Sequence, residues 1–289
     1  MTDLIVDPPA KAGRSYTSGE VVASARKPVG RFGFRFGLTI VILAALLAIV
    51  GPYIAPYNPN AQDLLVRLAS PSSAHWLGTD ELGRDEFSRL IVAARVDLGV
   101  AVLAALFPFI LGTVVGAVSA YFGSIWDLAV TRLVDLVLSF PVYVLIISLI
   151  AIAGGGIRTL LIVFTVVDWV QYARLVRSVV LRLKNEDYIS AARLGGVSHL
   201  RILVRHLWPN AMRSSLTLLV TDMMYVLLGL VSLSYLGLGI PPPTADWGGM
   251  IAGAQPYMQQ QWWLIAAPGF MIALIGSGLM LIGERLDAR

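Results

Sequence analysis

Two carboxylates interrupt apolar runs in this chain: Asp168, beside Trp169, and Asp222. An ionisable group at membrane depth costs about 2.5–3.5 kcal/mol on insertion scales, so it faces a cavity or a partner. Two readings stay open: carboxylates lining a path, or carboxylates hydrogen-bonded at a helix contact. Other candidates for chemistry are sparse. His75, His199 and His206 are scattered, and the last two share a helix face only if the helix is unbroken. They lack a third ligand of the right kind, so no metal site is expected. With no cysteine there is no thiolate ligand or thiol nucleophile. A phosphate-cradling loop needs Gly-Lys followed by Ser or Thr. None of Lys11, Lys27 and Lys184 follows a glycine. Nucleophile, base and oxyanion donors do not converge anywhere, so no catalytic residues are expected.

The elements that must hold these residues are membrane helices. Of the 289 residues, 57% are hydrophobic and 14% charged. Soluble domains run at roughly 45–50% and 25%. One soluble core cannot bury so much apolar surface, so lipid must solvate part of it. A span needs about 20 mostly apolar residues. Five or six stretches qualify, the fourth being the least apolar: 37–54, 96–121, 128–153, 157–183, 212–236 and 262–282. Pro52, Pro56 and Pro59 stop the first, and Gly154-Gly155-Gly156 ends the third. All must be helical, because lipid satisfies no open backbone group. The fold class is therefore all-α and polytopic, with six transmembrane helices.

Lys and Arg set the orientation. Residues 1–35 hold six of them, residues 182–213 another six, and the end has Arg285 and Arg289. The opposite side has Arg67, Arg84 and Arg89 in one long loop, and 237–261 has none. Both termini are expected in the cytosol. The expected organisation is a cytosolic tail at 1–35, a first helix at 36–56, an extracytoplasmic loop at 57–92 and a core at 93–289. Tyr121, Trp126, Trp262 and Trp263 are expected to anchor at the interfaces. Arg132 and Asp135 are spaced to pair on one helix face, and Arg174 and Arg177 to snorkel inward. Gly112 and Gly116 form a small-xxx-small face for close packing, within the chain or across to another subunit. Between the fourth and fifth spans, Tyr188, Ala191, Ala192, Leu194 and Val197 recur at helical spacing, so an amphipathic helical stretch ended by Pro209 is expected. Such a stretch lies on lipid or docks into a partner. No part of the chain carries a nucleic-acid footprint.

That segment reads Asp187-Tyr-Ile-Ser-Ala-Ala-Arg-Leu-Gly-Gly-Val-Ser-His-Leu-Arg-Ile-Leu-Val-Arg-His-Leu-Trp-Pro-Asn210. It resembles the EAA loop of binding-protein-dependent ABC importer permeases. Ala191, Ala192, Gly196, Pro209 and Asn210 match that pattern, while Ser190 stands where Glu is usual. Residues 75–90, with Leu-Gly-Thr-Asp-Glu-Leu-Gly-Arg-Asp, resemble the extracytoplasmic segment of the dipeptide/oligopeptide/nickel branch. Leu233-Ser-Tyr-Leu-Gly-Leu-Gly-Ile-Pro-Pro-Pro-Thr-Ala-Asp-Trp-Gly and the closing residues, from Trp263 and Pro268-Gly269 to Gly283–Arg289, resemble the same branch. The resemblance covers about residues 30–289 and fits the C-type permease subunit.

The resemblance implies a type I importer permease (MetI-like) fold in a bacterial cytoplasmic (inner) membrane. It implies three kinds of partner in the lipid bilayer assembly: a second, B-type permease, two cytosolic ATPase subunits or domains, and an extracytoplasmic solute-binding protein. ATP and Mg would be bound by the ATPases, and this chain would hold no cofactor. Residues 186–210 would be the coupling loop, with Ser190, Ala191, Ala192, Gly196, Pro209 and Asn210 facing or shaping the ATPase contact. The implied cargo is di- or oligopeptides, whose amino terminus path carboxylates at Asp168 and Asp222 would meet. Nickel, glutathione or another small solute is the alternative, with nickel itself held by the delivery protein. The loop after Tyr235 would touch the delivery protein or plug the outer mouth. An ion-coupled secondary transporter is the distant alternative; it would require internal repeats, which are not evident.

Overall fold

The computed structural model describes residues 31–287, so most of the expected cytosolic tail lies outside the described residues. Ten α-helices follow: α1 (Arg31–Ile54), α2 (Glu86–Phe122), α3 (Ser124–Leu138), α4 (Val142–Ala153), α5 (Ile157–Leu183), α6 (Asp187–Leu194), α7 (His199–Ile202), α8 (Trp208–Tyr235), α9 (Trp247–Ala254) and α10 (Trp263–Asp287). No extended strand is present among the described residues. Five helical stretches are long and apolar enough to cross a membrane: α1, α2, α5, His199–Tyr235 and α10.

The third expected span is not one helix. It is α3 and α4, bent by 88° at their junction. Fifteen and twelve residues reach about 22 and 18 Å, each short of a core about 30 Å thick. Pro141 disfavours helical geometry at Phe140 before it, and the Ser139 hydroxyl donates to the Leu136 carbonyl as α3 ends.

The first span also differs from expectation at its end. Pro52 lies inside the last turn of α1, which continues to Ile54. The second begins ten residues sooner than its apolar run, because Asp85 caps it. Asp85 accepts from the Ser88 backbone N–H at 2.8 Å and from the Ser88 hydroxyl at 2.6 Å. The loop after α1 therefore ends at Asp85, and the charged stretch to Val92 is helical.

The long helix α2 is the axis of the packing. Gly112 and Gly116 press against the α5 backbone at Trp169 and Ala173, where a Cβ would collide. The small-xxx-small face is used within this chain. Leu160, Val163, Phe164 and Val167 of α5 join Ala101, Ala104 and Ala105 of α2 and Leu227 and Leu230 of α8 in the main core. Thirty-seven residues give α2 a length of about 55 Å, so it reaches both ends of the bundle.

At one end the 55–85 loop folds onto the helices. Asp80 accepts from Arg84 Nε at 2.6 Å and from the backbone N–H groups of Leu82 and Arg84, both at 2.9 Å. Arg89 Nη1 donates to the Pro59 carbonyl at 2.9 Å. The loop is tied to the segment after α9, where Gln261 Nε2 donates to the Leu68 carbonyl at 2.6 Å.

Candidate functional site

The segment between α5 and α8 sits at the other end of α2. Ile189 of α6 and Ile202, Leu203 and Leu207 beyond it are buried against Ala117, Ala120 and Tyr121 of α2 and Val176, Val179 and Val180 of α5. Burying one such aliphatic side chain is worth about 1.5–3 kcal/mol, enough to seat a two-turn helix that would not persist alone. Ala192 and Val197 are half-buried on this inner face. Tyr188 and Leu194, expected with them, point outward instead, and Leu194 is 91% exposed. Ile189 rather than Leu194 carries the anchor, so the inward stripe is rotated from the one the sequence suggested.

Ser190, Ala191 and Leu194 thus lie together on an exposed face of α6. Gly196 turns the chain out of α6 with φ +74°, a left-handed conformation that favours glycine. Residues 199–235 then run as one continuous helix, with a π turn at Leu203–Leu207. Contrary to the expectation that it ends the helical stretch, Pro209 lies in the first turn of α8. A proline ring clashes with the carbonyl four residues back in regular α geometry, and the wider π turn ahead of it relieves that clash. The Asn210 side-chain amide donates to the His206 carbonyl at 2.8 Å. The six sequence-picked residues therefore fall into two groups, one around α6 and one at the start of α8.

Several residues fastening this segment serve here in roles other than those the sequence suggested for them. The Tyr121 hydroxyl and His199 Nδ1 are 2.8 Å apart, and the Arg193 guanidinium lies 5.5 Å from the Tyr121 ring centroid. Tyr121 is buried here rather than anchored at an interface. Lys184 Nζ donates to the Ala120 carbonyl at 2.9 Å. Arg177, expected to snorkel, makes a bidentate pair with Asp127 at 2.7 and 2.8 Å, joining α5 to α3. Arg132 and Asp135 are both exposed and form no ion pair among the described residues.

The intramembrane carboxylates lie on α5 and α8. Asp168 and Asp222 are 5% and 7% exposed. Tyr172, one turn beyond Asp168 on α5, donates its hydroxyl to Asp222 Oδ2 at 2.7 Å. Neither carboxylate has a cationic partner among the described residues.

The loop after α8 folds back onto α2. The Trp247 backbone N–H donates to Asp97 Oδ2 at 2.8 Å, and its indole N–H to the Leu90 carbonyl at 3.1 Å. Asp246 caps α9 through the Gly249 N–H at 2.8 Å. Burial raises the Asp246 carboxyl above its ordinary range, against the lowering effect of that hydrogen bond. His75 Nδ1 lies 2.8 Å from Asp85. Among the described residues no three metal-ligating side chains group together.

Comparisons with known proteins agree on one family. Residues 112–289 match the family described as binding-protein-dependent transport system inner membrane component. Residues 33–71 match the N-terminal transmembrane domain of oligopeptide transport permease C. The chain is 38% identical over 256 residues to the nickel transport system permease protein NikC of Escherichia coli (strain K12), covering 89% of this chain and 92% of that one. It is 35% identical over 252 residues to the dipeptide transport system permease protein DppC of Bacillus subtilis (strain 168), covering 87% and 79%. It is 34% identical over 250 residues to the oligopeptide transport system permease protein OppC of the same organism, covering 86% and 82%.

Proposed function

The chain belongs to the binding-protein-dependent transport system inner membrane components, and from that premise we propose that it is one of two permeases in an ATP-driven importer of di- or oligopeptides. Its partners are a B-type permease, two cytosolic ATPase subunits or domains and an extracytoplasmic solute-binding protein. The complex sits in the cytoplasmic membrane, with both termini of this chain in the cytosol. ATP and Mg bind the ATPases, and this chain makes and breaks no covalent bond.

The observation that carries this reading is α6. Its inner face is seated by Ile189, while Ser190, Ala191 and Leu194 stay exposed on a helix rooted in the bundle. An ATPase cleft that closes on ATP would grip that face and move the seated helix with it. Serine at 190 leaves the grip to packing of small and apolar groups rather than to a carboxylate. Movement of α2 and α5, against which the segment is packed, would switch the path between outward and inward access.

Within the spans, Asp168 and Asp222 are the carboxylates a peptide amino terminus would meet as α5 and α8 part. Their lack of a cationic partner supports this, because an ammonium group would supply the missing charge. The nickel permease relative favours a second cargo, a small cationic solute recognised outside by the delivery protein.

Co-purification from gently solubilised membranes, with mass spectrometry of the accompanying chains, tests the reading. A second permease, a P-loop ATPase and a solute-binding protein are expected, and the solute on that binding protein names the cargo. Recovery of the chain alone or as a homo-oligomer would overturn it.

A further inference from the structure

A groove of about 530 Å³ opens on the side of the bundle, lined by α1, α2, α8 and α10. Its walls are apolar, including Val41, Ala48, Leu103 and Leu227, with two exceptions: Arg95 of α2 and Tyr53 of α1. Gly99, one turn below Arg95, keeps the floor open, since a Cβ there would meet nothing.

Arg95 is exposed within a membrane-crossing helix and makes no ion pair or hydrogen bond among the described residues. Arg95 stands at the edge of the apolar run that begins at Val96, the level at which a guanidinium meets lipid phosphates. Helical side chains lean toward their helix N-terminus, which for α2 is the end bearing the 55–85 loop. Tyr53 lies in the last turn of α1 on that same side.

We propose that this groove is a glycerophospholipid site, with an acyl chain between α1 and α2 and the lipid phosphate on Arg95. Guanidinium meets phosphate through paired N–H donors, which fixes the headgroup at one place. Val41 to Tyr53 spans about 18 Å along α1, close to the roughly 15 Å depth of one leaflet. Apolar walls with a single unpaired guanidinium at one end suit an occupant that joins a hydrocarbon tail to an anionic head. The leaflet is the extracytoplasmic one on the orientation proposed above; the site itself depends on neither cargo nor ATPase.

Native mass spectrometry of the detergent-released complex, reconstituted with phosphatidylglycerol and phosphatidylethanolamine, tests the site. The wild-type chain should keep one phospholipid under activation that strips the surrounding lipid. Arg95→Gln should weaken that retention about tenfold. Gly99→Leu, which fills the groove without touching the charge, should abolish it. Equal retention in all three proteins would mean annular lipid only and would overturn the proposal. So would efficient disulfide crosslinking of Ala48→Cys to a cysteine scanned along the second permease, which would show protein in the groove. Binding is read on this chain, so a complex lacking any ATPase would sink the importer reading while leaving this result interpretable. Arg95→Lys, which keeps the charge and loses the fork, should retain an intermediate amount and guards against loss through misfolding.

Discussion

The Tyr121 hydroxyl closes a 2.8 Å contact with His199 Nδ1 across 78 residues of sequence. It fastens the α7 end of the coupling segment to the last turn of α2, while Arg193 covers the same ring from α6. Tyr121→Phe removes the hydrogen bond and keeps the ring, at a cost of about 0.5–1.5 kcal/mol. Uptake should fall severalfold while ATP hydrolysis by the assembled complex falls less, measured side by side in proteoliposomes. Equal loss of both, or of neither, would remove Tyr121 from the coupling route.

Gly196 adopts φ +74° with open space where a Cβ would stand, so a substitution there meets backbone strain rather than a clash. Left-handed geometry costs a non-glycine residue about 1–2 kcal/mol. Gly196→Val should straighten or displace the turn and uncouple ATP hydrolysis from transport. Coupled transport at the wild-type ratio would count against the assignment of this turn.

The hook between Asp97 and the Trp247 N–H holds α9 to α2. Asp97→Ala leaves that buried donor unpaired and should destabilise the fold by about 1–3 kcal/mol. Asp97→Asn keeps an acceptor oxygen for the Trp247 N–H, so it should be close to neutral. Thermal unfolding in detergent of the two variants separates these outcomes.

Asp127 and Arg177 make a bidentate but partly solvated pair, worth a few tenths to about 1 kcal/mol. Arg177→Ala should therefore cost little stability, and the exchanged pair Asp127→Arg with Arg177→Asp should recover part of it. A loss of several kcal/mol in thermal melts would mean the pair has a role beyond tying α3 to α5.

Asp168→Asn should raise the KM for peptides with a free amino terminus and leave N-acetylated peptides unchanged. A uniform loss for both would assign Asp168 to helix packing alone.

Hydropathy and charge determined the class of this protein, because twenty consecutive apolar residues have few fates besides a membrane helix. The fourth run, 157–183, coincides with α5, and the helical spacing after it marked the short helix α6. Boundaries set by capping were hidden: Asp85 starts α2 inside a stretch too charged to look like a span, because its charges pair with one another. Pro141 and Pro209 show why local rules fell short. One proline breaks a span by 88°, whereas the other enters an unbroken helix through a π turn. Which occurs depends on whether neighbours can satisfy the freed backbone groups. The meeting of Tyr121 with His199, and of Trp247 with Asp97, was decided only in three dimensions. Sequence spacing fixes which residues share a helix face, but the facing surface comes from packing between helices far apart in the chain.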